Sequence, residues 1–138
     1  MTPEIRQIAS LDAEQLFQLR ELYAAAGWIS ADDPAEFLAP AIAGSTVAAG
    51  AFAGNKLVGF ARALSDGCSD AYIQDVVVSP ECRGQGIGRS LIRFVEVSLR
   101  ARGVDWIALV GEPGTEKFYS GLGFKEQSGY TLWKLEGN

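Results

Sequence analysis

The sequence of 138 residues predicts a mixed α/β fold, in which a mostly antiparallel sheet is flanked by helices. Two observations predict it: three β-rich runs follow one another in the middle of the chain, and a strand, a helix and a strand alternate after them. Short turns between consecutive runs favour an antiparallel meander, whereas a strand–helix–strand crossover favours a parallel pair. The sheet is therefore predicted to combine both kinds of pairing.

The N-terminal part is predicted to contain two helices. Asp12 can cap a helix, with a glutamine three residues later, and apolar residues recur at helical spacing as far as Gly27. Asp33 and Pro34 are typical of a second helix start, as N-cap and first helical residue. Because Pro40 would interrupt a long helix, we expect the second helix to be short or broken.

The remaining elements are strands and helices in alternation. In chain order they are strands 46–53, 56–64 and 71–78, a helix 88–102, a strand 106–110, a short helix 115–122, and strands around Phe124 and at 130–135. The long helix has an apolar face made of Leu91, Ile92, Val95 and Leu99. It would connect strands 71–78 and 106–110, which predicts that these two strands are parallel.

Composition argues against several classes of function. The net charge is −5 without a run of Lys or Arg, which does not fit nucleic-acid binding. The chain has no histidine, which excludes Ser-His-Asp and Cys-His nucleophiles and the usual zinc ligands. Cys68 and Cys82 are expected to be free thiols. An acidic protein has a mild bias toward cationic substrates.

The chain is predicted to be one domain, residues 1–138, because no linker or repeat divides it. It shows no basic leader with an apolar run, and no segment of about 20 apolar residues that could span a membrane. These features predict a cytoplasmic location and no membrane partner.

The strongest functional signal is the segment 74–88, Gln-Asp-Val-Val-Val-Ser-Pro-Glu-Cys-Arg-Gly-Gln-Gly-Ile-Gly. A strand ends at Pro80, three alternate glycines come next, and a helix begins at once. The unpaired amides and the positive dipole end of that helix would converge on one point, which predicts a phosphate or pyrophosphate site. The spacing is neither G-x-G-x-x-G nor that of a triphosphate loop, which ends in Gly-Lys-Ser/Thr.

Two motifs resemble those of the GNAT superfamily of acyl-CoA-dependent N-acyltransferases. Residues 83–88 are similar to its R/Q-x-x-G-x-G/A signature, and residues 118–124, Phe-Tyr-Ser-Gly-Leu-Gly-Phe, to its F-Y-x-x-x-G-F motif. Their order and structural context favour a ligand site over glycines that serve only a turn. The resemblance covers nearly the whole chain, since it includes Gly27-Trp28 and Val58-Gly59-Phe60 as well.

The resemblance implies a sheet splayed into a V between strands 71–78 and 106–110, with acetyl-CoA as co-substrate in the V and no metal. The pantetheine arm would pair with the backbone of Val76 and Val78, whose side chains are expected to lie in the core. Arg89, Arg93 or Lys117 are candidates for the 3′-phosphate, or are solvated surface charges. The implied cofactor-binding residues are Val76, Val77, Val78, Arg83, Gly84, Gln85, Gly86, Ile87, Gly88, Arg89, Ser90, Phe118 and Tyr119.

Acetyl transfer requires a neutral amine, a stabilised oxyanion and a proton for the departing thiolate. Tyr119 has the family's position for the proton donor, although packing a helix against the cofactor is an alternative role. The backbone N–H of Val76 is the family-like oxyanion donor. Asp75 is a candidate base acting through water, and it could equally anchor the substrate or make a structural hydrogen bond. The implied catalytic residues are thus Tyr119 and Asp75.

The acceptor site is expected to come from the first helices and the meander. Its predicted substrate-binding residues are Tyr23, Trp28, Arg62, Tyr72 and Gln74. The predicted function is transfer of an acetyl group from acetyl-CoA to a primary amine of a small molecule, by direct attack in a ternary complex. The alternatives are a non-catalytic acyl-CoA sensor and an enzyme for amino groups of proteins or peptides. A homodimer is an expectation from the family alone.

Overall fold

The computed structural model describes residues 2–137. The chain divides into two units by its internal contacts, Met1–Ala108 and Leu109–Asn138. The single domain predicted from the sequence stays a prediction. Among residues 2–137, no helix is long and apolar enough to cross a bilayer. The same residues contain no cluster of three or more Cys, Asp or Glu side chains arranged to hold a metal ion.

The sheet and its helices contain most of the predicted elements, with bounds shifted by one or two residues. The elements are β1 (Glu4–Gln7), α1 (Ala13–Ala25), α2 (Leu38–Ala43), β2 (Val47–Ala53), β3 (Lys56–Ser65), β4 (Asp70–Val78), a one-turn 3-10 helix (Pro80–Cys82), α3 (Ile87–Arg100), β5 (Trp106–Leu109) and α4 (Glu116–Ser120). The sequence analysis missed β1, which is only four residues long and carries a single aliphatic side chain.

The five strands form one sheet in the order β1-β2-β3-β4-β5. The pairs β1–β2, β2–β3 and β3–β4 are antiparallel. The crossover through α3 makes β4 and β5 parallel, as the strand–helix–strand pattern predicted. The predicted fold class, a mostly antiparallel sheet with one parallel pair and flanking helices, is confirmed.

Helix α1 begins where the sequence predicts. The Asp12 side chain accepts a hydrogen bond from the Gln15 amide at 2.8 Å, and the Gln15 side chain accepts one from the Asp12 amide at 3.2 Å. This reciprocal capping box satisfies two amides that the first helical turn leaves unpaired. The helix ends just before Gly27, which has a left-handed φ of 81°.

The second helix starts later than predicted. Asp33 does not cap it: one Asp33 carboxylate oxygen accepts from the amide of Ala35 at 2.7 Å, which makes a tight turn instead. Helix α2 begins at Leu38 and has six residues, so the expectation of a short helix is confirmed. Pro40 is tolerated because it lies in the first turn, where its missing N–H would have no partner inside the helix.

Helices cover both faces of the sheet within the first unit. An added Cβ at Gly59 of β3 would lie 3.0 Å from Leu91 and 3.1 Å from Ile87, so α3 packs closely on that face. The next residue, Phe60, points to the opposite face and joins Tyr23 of α1 in the core. The predicted apolar face of α3 is buried in full. The strands β3 and β4 are therefore held between α1 and α3.

The second unit contains α4 and a segment without regular structure. The strands predicted around Phe124 and at 130–135 are wrong, since residues 125–137 form neither helix nor strand. The prediction rested on β-prone residues, but a strand requires backbone pairing with a neighbour, and propensity alone does not supply one. Four large apolar side chains of this segment are exposed: Tyr130, Leu132, Trp133 and Leu135.

Candidate functional site

The loop between β4 and α3 contains two of the three alternate glycines, and the third, Gly88, lies in the first turn of α3. After the 3-10 turn Pro80–Cys82, Gly84 and Gly86 take left-handed φ values of 79° and 81°. A Cβ added at either glycine would meet no atom within 4 Å, so the glycines serve the backbone path and leave open space beside it. Gly86 is the residue that leads directly into α3.

The N-terminus of α3 carries no side-chain cap. The first four amides of a helix lack partners within the helix, and the helix dipole gives them partial positive charge. Residues 83–86 are exposed, whereas Ile87 is buried and anchors the helix start to the core. Arg83 lies beside the loop, with Nε 3.4 Å from the carbonyl oxygen of Val78. This end of α3 is suited to an anion held by backbone amides.

Strand β4 is interrupted by a bulge next to this loop. Phe60 pairs with Val77 and Arg62 with Gln74, so Asp75 and Val76 together lie opposite the single residue Ala61. Asp75 has a φ of 57°, a left-handed conformation that few non-glycine residues adopt. A bulge leaves its extra residue outside the regular ladder and redirects the side chains around it.

The three valines after the bulge differ in burial. Val77 is in the core on the α1 side, with 6% of its surface exposed. Val76 and Val78 are only half-buried, so the expectation that their side chains lie in the core is wrong. The bulge explains the difference, because it shifts the alternation of inward and outward residues by one position.

Asp75 is held by two donors from different elements. The Tyr23 hydroxyl of α1 donates to Asp75 Oδ2 at 2.7 Å, and Arg62 Nε of β3 donates to the same oxygen at 2.8 Å. Arg62 also has its guanidinium nitrogens 3.4 Å from Gln74 Oε1 and 3.5 Å from Ser45 Oγ. Four of the predicted site residues, Tyr23, Arg62, Gln74 and Asp75, are thus in one cluster.

Tyr23 is inside the protein, with 3% of its surface exposed. Its ring makes an edge-on contact with the ring of Trp28, with 5.1 Å between the ring centroids, and tilted contacts with Phe37 and Phe60. Burial, followed by the hydrogen bond to Asp75 and its negative charge, raises the pKa of the Tyr23 phenol well above its ordinary value of 10.0. Tyr23 therefore stays protonated and donates to Asp75 at neutral pH.

Tyr72 is on the exposed face of the same strand as Asp75. It pairs across the ladder with Leu64, and its ring meets that of Trp106 edge-on at 5.4 Å. About half of each aromatic surface is exposed, 48% for Tyr72 and 49% for Trp106. The sequence analysis did not single out Trp106 as a site candidate. Its proximity to Tyr72 arises from the parallel pairing of β4 and β5.

In the second unit, Tyr119 lies on α4 among aromatic neighbours. Its ring contacts Phe118 at 4.9 Å and Phe124 at 6.0 Å, both edge-on. Burial, and then the negative charge of Glu112, raises the pKa of the Tyr119 phenol above 10.0. At neutral pH Tyr119 is therefore a neutral phenol with a proton to donate.

Comparison with known proteins gives a family match over most of the chain. Residues 3–124 match the model of the acetyltransferase (GNAT) family. An uncharacterized N-acetyltransferase ycf52 of Pyropia yezoensis is 35% identical over 113 residues, which are 79% of this chain and 64% of that protein. Serotonin N-acetyltransferase 2, chloroplastic, of Oryza sativa subsp. japonica is 48% identical over 67 residues, 49% of this chain and 34% of that protein. The chain thus spans less than two thirds of these relatives.

Solved structures with the same fold cover the chain almost completely. A GNAT family acetyltransferase of Streptococcus pneumoniae TIGR4 is 27% identical, with a TM-score of 0.76 over 97% of this chain and 99% of that one. The structure of AAC(6')-Iy with a bisubstrate analogue, CoA-S-monomethyl-acetylneamine, has a TM-score of 0.76 at 22% identity and covers 99% of this chain and 100% of that one.

The buried phenol of Tyr23 predicts a pH dependence of stability. Its folded-state pKa is raised, so its contribution is complete below the ordinary value of 10.0 and is lost as the pH rises beyond it. Urea unfolding between about pH 8 and pH 11 should show the free energy of unfolding falling above pH 10, with Tyr23 contributing up to about 1.4 kcal/mol per pH unit.

Tyr23→Phe should reduce this alkaline slope, because phenylalanine cannot ionise in the unfolded chain. Tyr130→Phe is the matched control, since Tyr130 is 85% exposed. The alkaline slope of this variant should equal that of the unmodified protein. An unchanged slope in Tyr23→Phe would contradict the assignment of a buried, protonated phenol.

Proposed function

Because the chain belongs to the acetyltransferase (GNAT) family, we propose that it transfers an acetyl group from acetyl-CoA to a primary amine of a small molecule, by direct attack in a ternary complex. The observation that carries the proposal is the succession of bulged strand, open glycine loop and uncapped helix within residues 75–90. The relative named serotonin N-acetyltransferase 2 and the solved neighbour in complex with the bisubstrate analogue CoA-S-monomethyl-acetylneamine support a small amine as acceptor.

The glycine loop and the start of α3 fit the pyrophosphate of coenzyme A. The open space beside Gly84 and Gly86 lets an anion approach the backbone, and the uncapped amides of α3 supply the donors. In the proposal, backbone groups of residues 83–90 hold the pyrophosphate, and Arg83 and Arg89 add positive charge at the exposed rim.

The end of β4 fits the pantetheine arm and the acetyl group. When bound, acetyl-CoA supplies a thioester, whose carbonyl carbon accepts the amine and whose sulfur leaves with the bonding electrons. Backbone groups of residues 76–78 would pair with the amide groups of the arm. The Val76 N–H, at the bulge, would donate to the carbonyl oxygen and stabilise the negative charge that develops there.

Tyr119 is the proposed donor of a proton to the departing thiolate, and Phe118 the neighbour that packs beside it on α4. The role comes from the match of residues 118–124 to the second family motif. The raised pKa keeps the phenol protonated until the thiolate forms, and the proton that the amine loses returns to Tyr119 through water. We do not assign the base to Asp75, because its Oδ2 already accepts from Tyr23 and Arg62.

The proposed acceptor site contains fewer residues than the sequence predicted. Tyr72 and Gln74 lie on the exposed face of β4, next to the bulge, and remain proposed contacts with the amine. Trp28 is half-buried beside Tyr23 and is proposed to line the acceptor site. Tyr23 is too deeply buried to contact a substrate, and Arg62 forms an ion pair with Asp75, so neither is kept as a substrate contact.

Location and domain organisation remain as the sequence predicts them, one domain over residues 1–138 in the cytoplasm. The rice relative, by contrast, is named as a chloroplastic protein. A homodimer likewise stays an expectation from the family.

Gly86→Val tests the pyrophosphate site. A branched side chain at Gly86 would occupy the open space beside the loop, so the dissociation constant for coenzyme A, measured by titration calorimetry, should rise at least tenfold, or about 1.4 kcal/mol. Gly67→Val is the matched control, because Gly67 has a similar φ of 79° and equally open surroundings in the loop between β3 and β4. Equal affinities in the two variants would refute the site.

Tyr119→Phe tests the proton donor and separates an enzyme from a sensor. With the best acceptor from a panel of polyamines, aminoglycosides and arylalkylamines, kcat should fall by roughly 100-fold or more, while coenzyme A affinity stays nearly unchanged. Tyr130→Phe, at an exposed tyrosine of the same unit, should retain full turnover. Coenzyme A binding without thiol release by the unmodified protein, across the whole panel, would favour the sensor instead.

A further inference from the structure

Asp75 takes a backbone conformation that needs support. Its φ of 57° is left-handed, which is unfavourable for an L-residue, although aspartate and asparagine tolerate it better than others. The residue lies within β4, between Gln74, which pairs with Arg62 of β3, and the bulge partner Val76. Contacts of its side chain must therefore help to hold the bulge in place.

Both partners of the carboxylate are themselves fixed. Tyr23 of α1 is held in the hydrophobic core by aromatic contacts with Trp28 and Phe60, and its hydroxyl is 2.7 Å from Asp75 Oδ2. Arg62 is two residues from Phe60 on β3, with 15% of its side chain exposed, and its Nε is 2.8 Å from the same oxygen. The Asp75 carboxylate is thus hydrogen-bonded to α1 through Tyr23 and to β3 through Arg62.

Fixing Asp75 also fixes the peptide group after it. The Val76 N–H belongs to the planar unit that begins at the Asp75 Cα, so the backbone dihedrals of Asp75 decide where this N–H points. A left-handed residue turns that unit away from the direction it has in a regular strand. The side-chain contacts of Asp75 are therefore connected by a single rigid group to the proposed carbonyl donor.

We propose that Tyr23, Arg62 and Asp75 form a clamp that orients the Val76 amide toward the thioester carbonyl. They are positioning residues, and their role replaces the substrate contacts predicted for Tyr23 and Arg62 and the base predicted for Asp75. The inference rests on the proposed function, because it assumes that the Val76 N–H binds the carbonyl oxygen.

The test compares the affinities of two coenzyme A derivatives by titration calorimetry. One is the acetonyl thioether, a ketone that keeps the carbonyl oxygen, and the other is the methallyl thioether, which has a CH₂ group in place of that oxygen. The unmodified protein should prefer the ketone by about two- to tenfold, the value of one hydrogen bond. Asp75→Ala and Arg62→Met should lose this preference, and Tyr23→Phe should reduce it.

Asp75→Asn separates orientation from base catalysis. Asparagine tolerates the left-handed conformation and its side-chain oxygen can still accept from both donors, so the preference for the ketone and most of kcat should survive. A base would be lost in Asp75→Asn as completely as in Asp75→Ala. Arg100→Met, which removes a surface ion pair with Glu96, is the control and should keep the preference.

Each outcome decides a different claim. Loss of the preference in Asp75→Ala and Arg62→Met, with affinity for the methallyl derivative unchanged, supports the clamp, since mere destabilisation would not alter a ratio of affinities. A preference retained in both variants, or a kcat as low in Asp75→Asn as in Asp75→Ala, overturns the clamp alone. No preference in the unmodified protein refutes the Val76 donor, and the clamp with it.

Discussion

The contact between Arg62 and Asp75 is the interaction on which the rest of the site depends. It joins β3 to the one residue of β4 that leaves the extended conformation, within a cluster where Tyr23 adds the third member. An ion pair exposed at a surface contributes little, but this pair is largely shielded and shares its oxygen with a buried phenol. Its structural effect is local: it holds a bulge where a regular ladder would otherwise continue.

The elements of the proposed anion site follow the bulge directly along the chain. The strand ends three residues later, the glycine loop turns the chain, and α3 begins with uncapped amides. Because α3 packs through Ile87 and Leu91 against Gly59 of β3, its first turn has a fixed position beside the strand end. The proposed carbonyl donor and the proposed anion site therefore lie on elements that pack against one another, β3, β4 and α3.

Local patterns made much of this predictable. Asp12 and Gln15 mark the start of α1, the alternate glycines mark the loop, and the apolar spacing marks the buried face of α3. The clamp was not predictable, because Tyr23 and Asp75 are 52 positions apart and Arg62 and Asp75 are 13 apart. The same limit explains the incorrect strands after Phe124, since pairing between distant segments leaves no local signal.

The measurement that tests this account most directly is an amide-resolved NMR titration of the ¹⁵N-labelled protein with acetyl-CoA and with coenzyme A. Both ligands should shift the amides of residues 83–90, through the pyrophosphate, and acetyl-CoA alone should add a large shift at Val76, through its carbonyl oxygen. Shifts confined to other parts of the chain, or a Val76 amide that responds equally to both ligands, would contradict it.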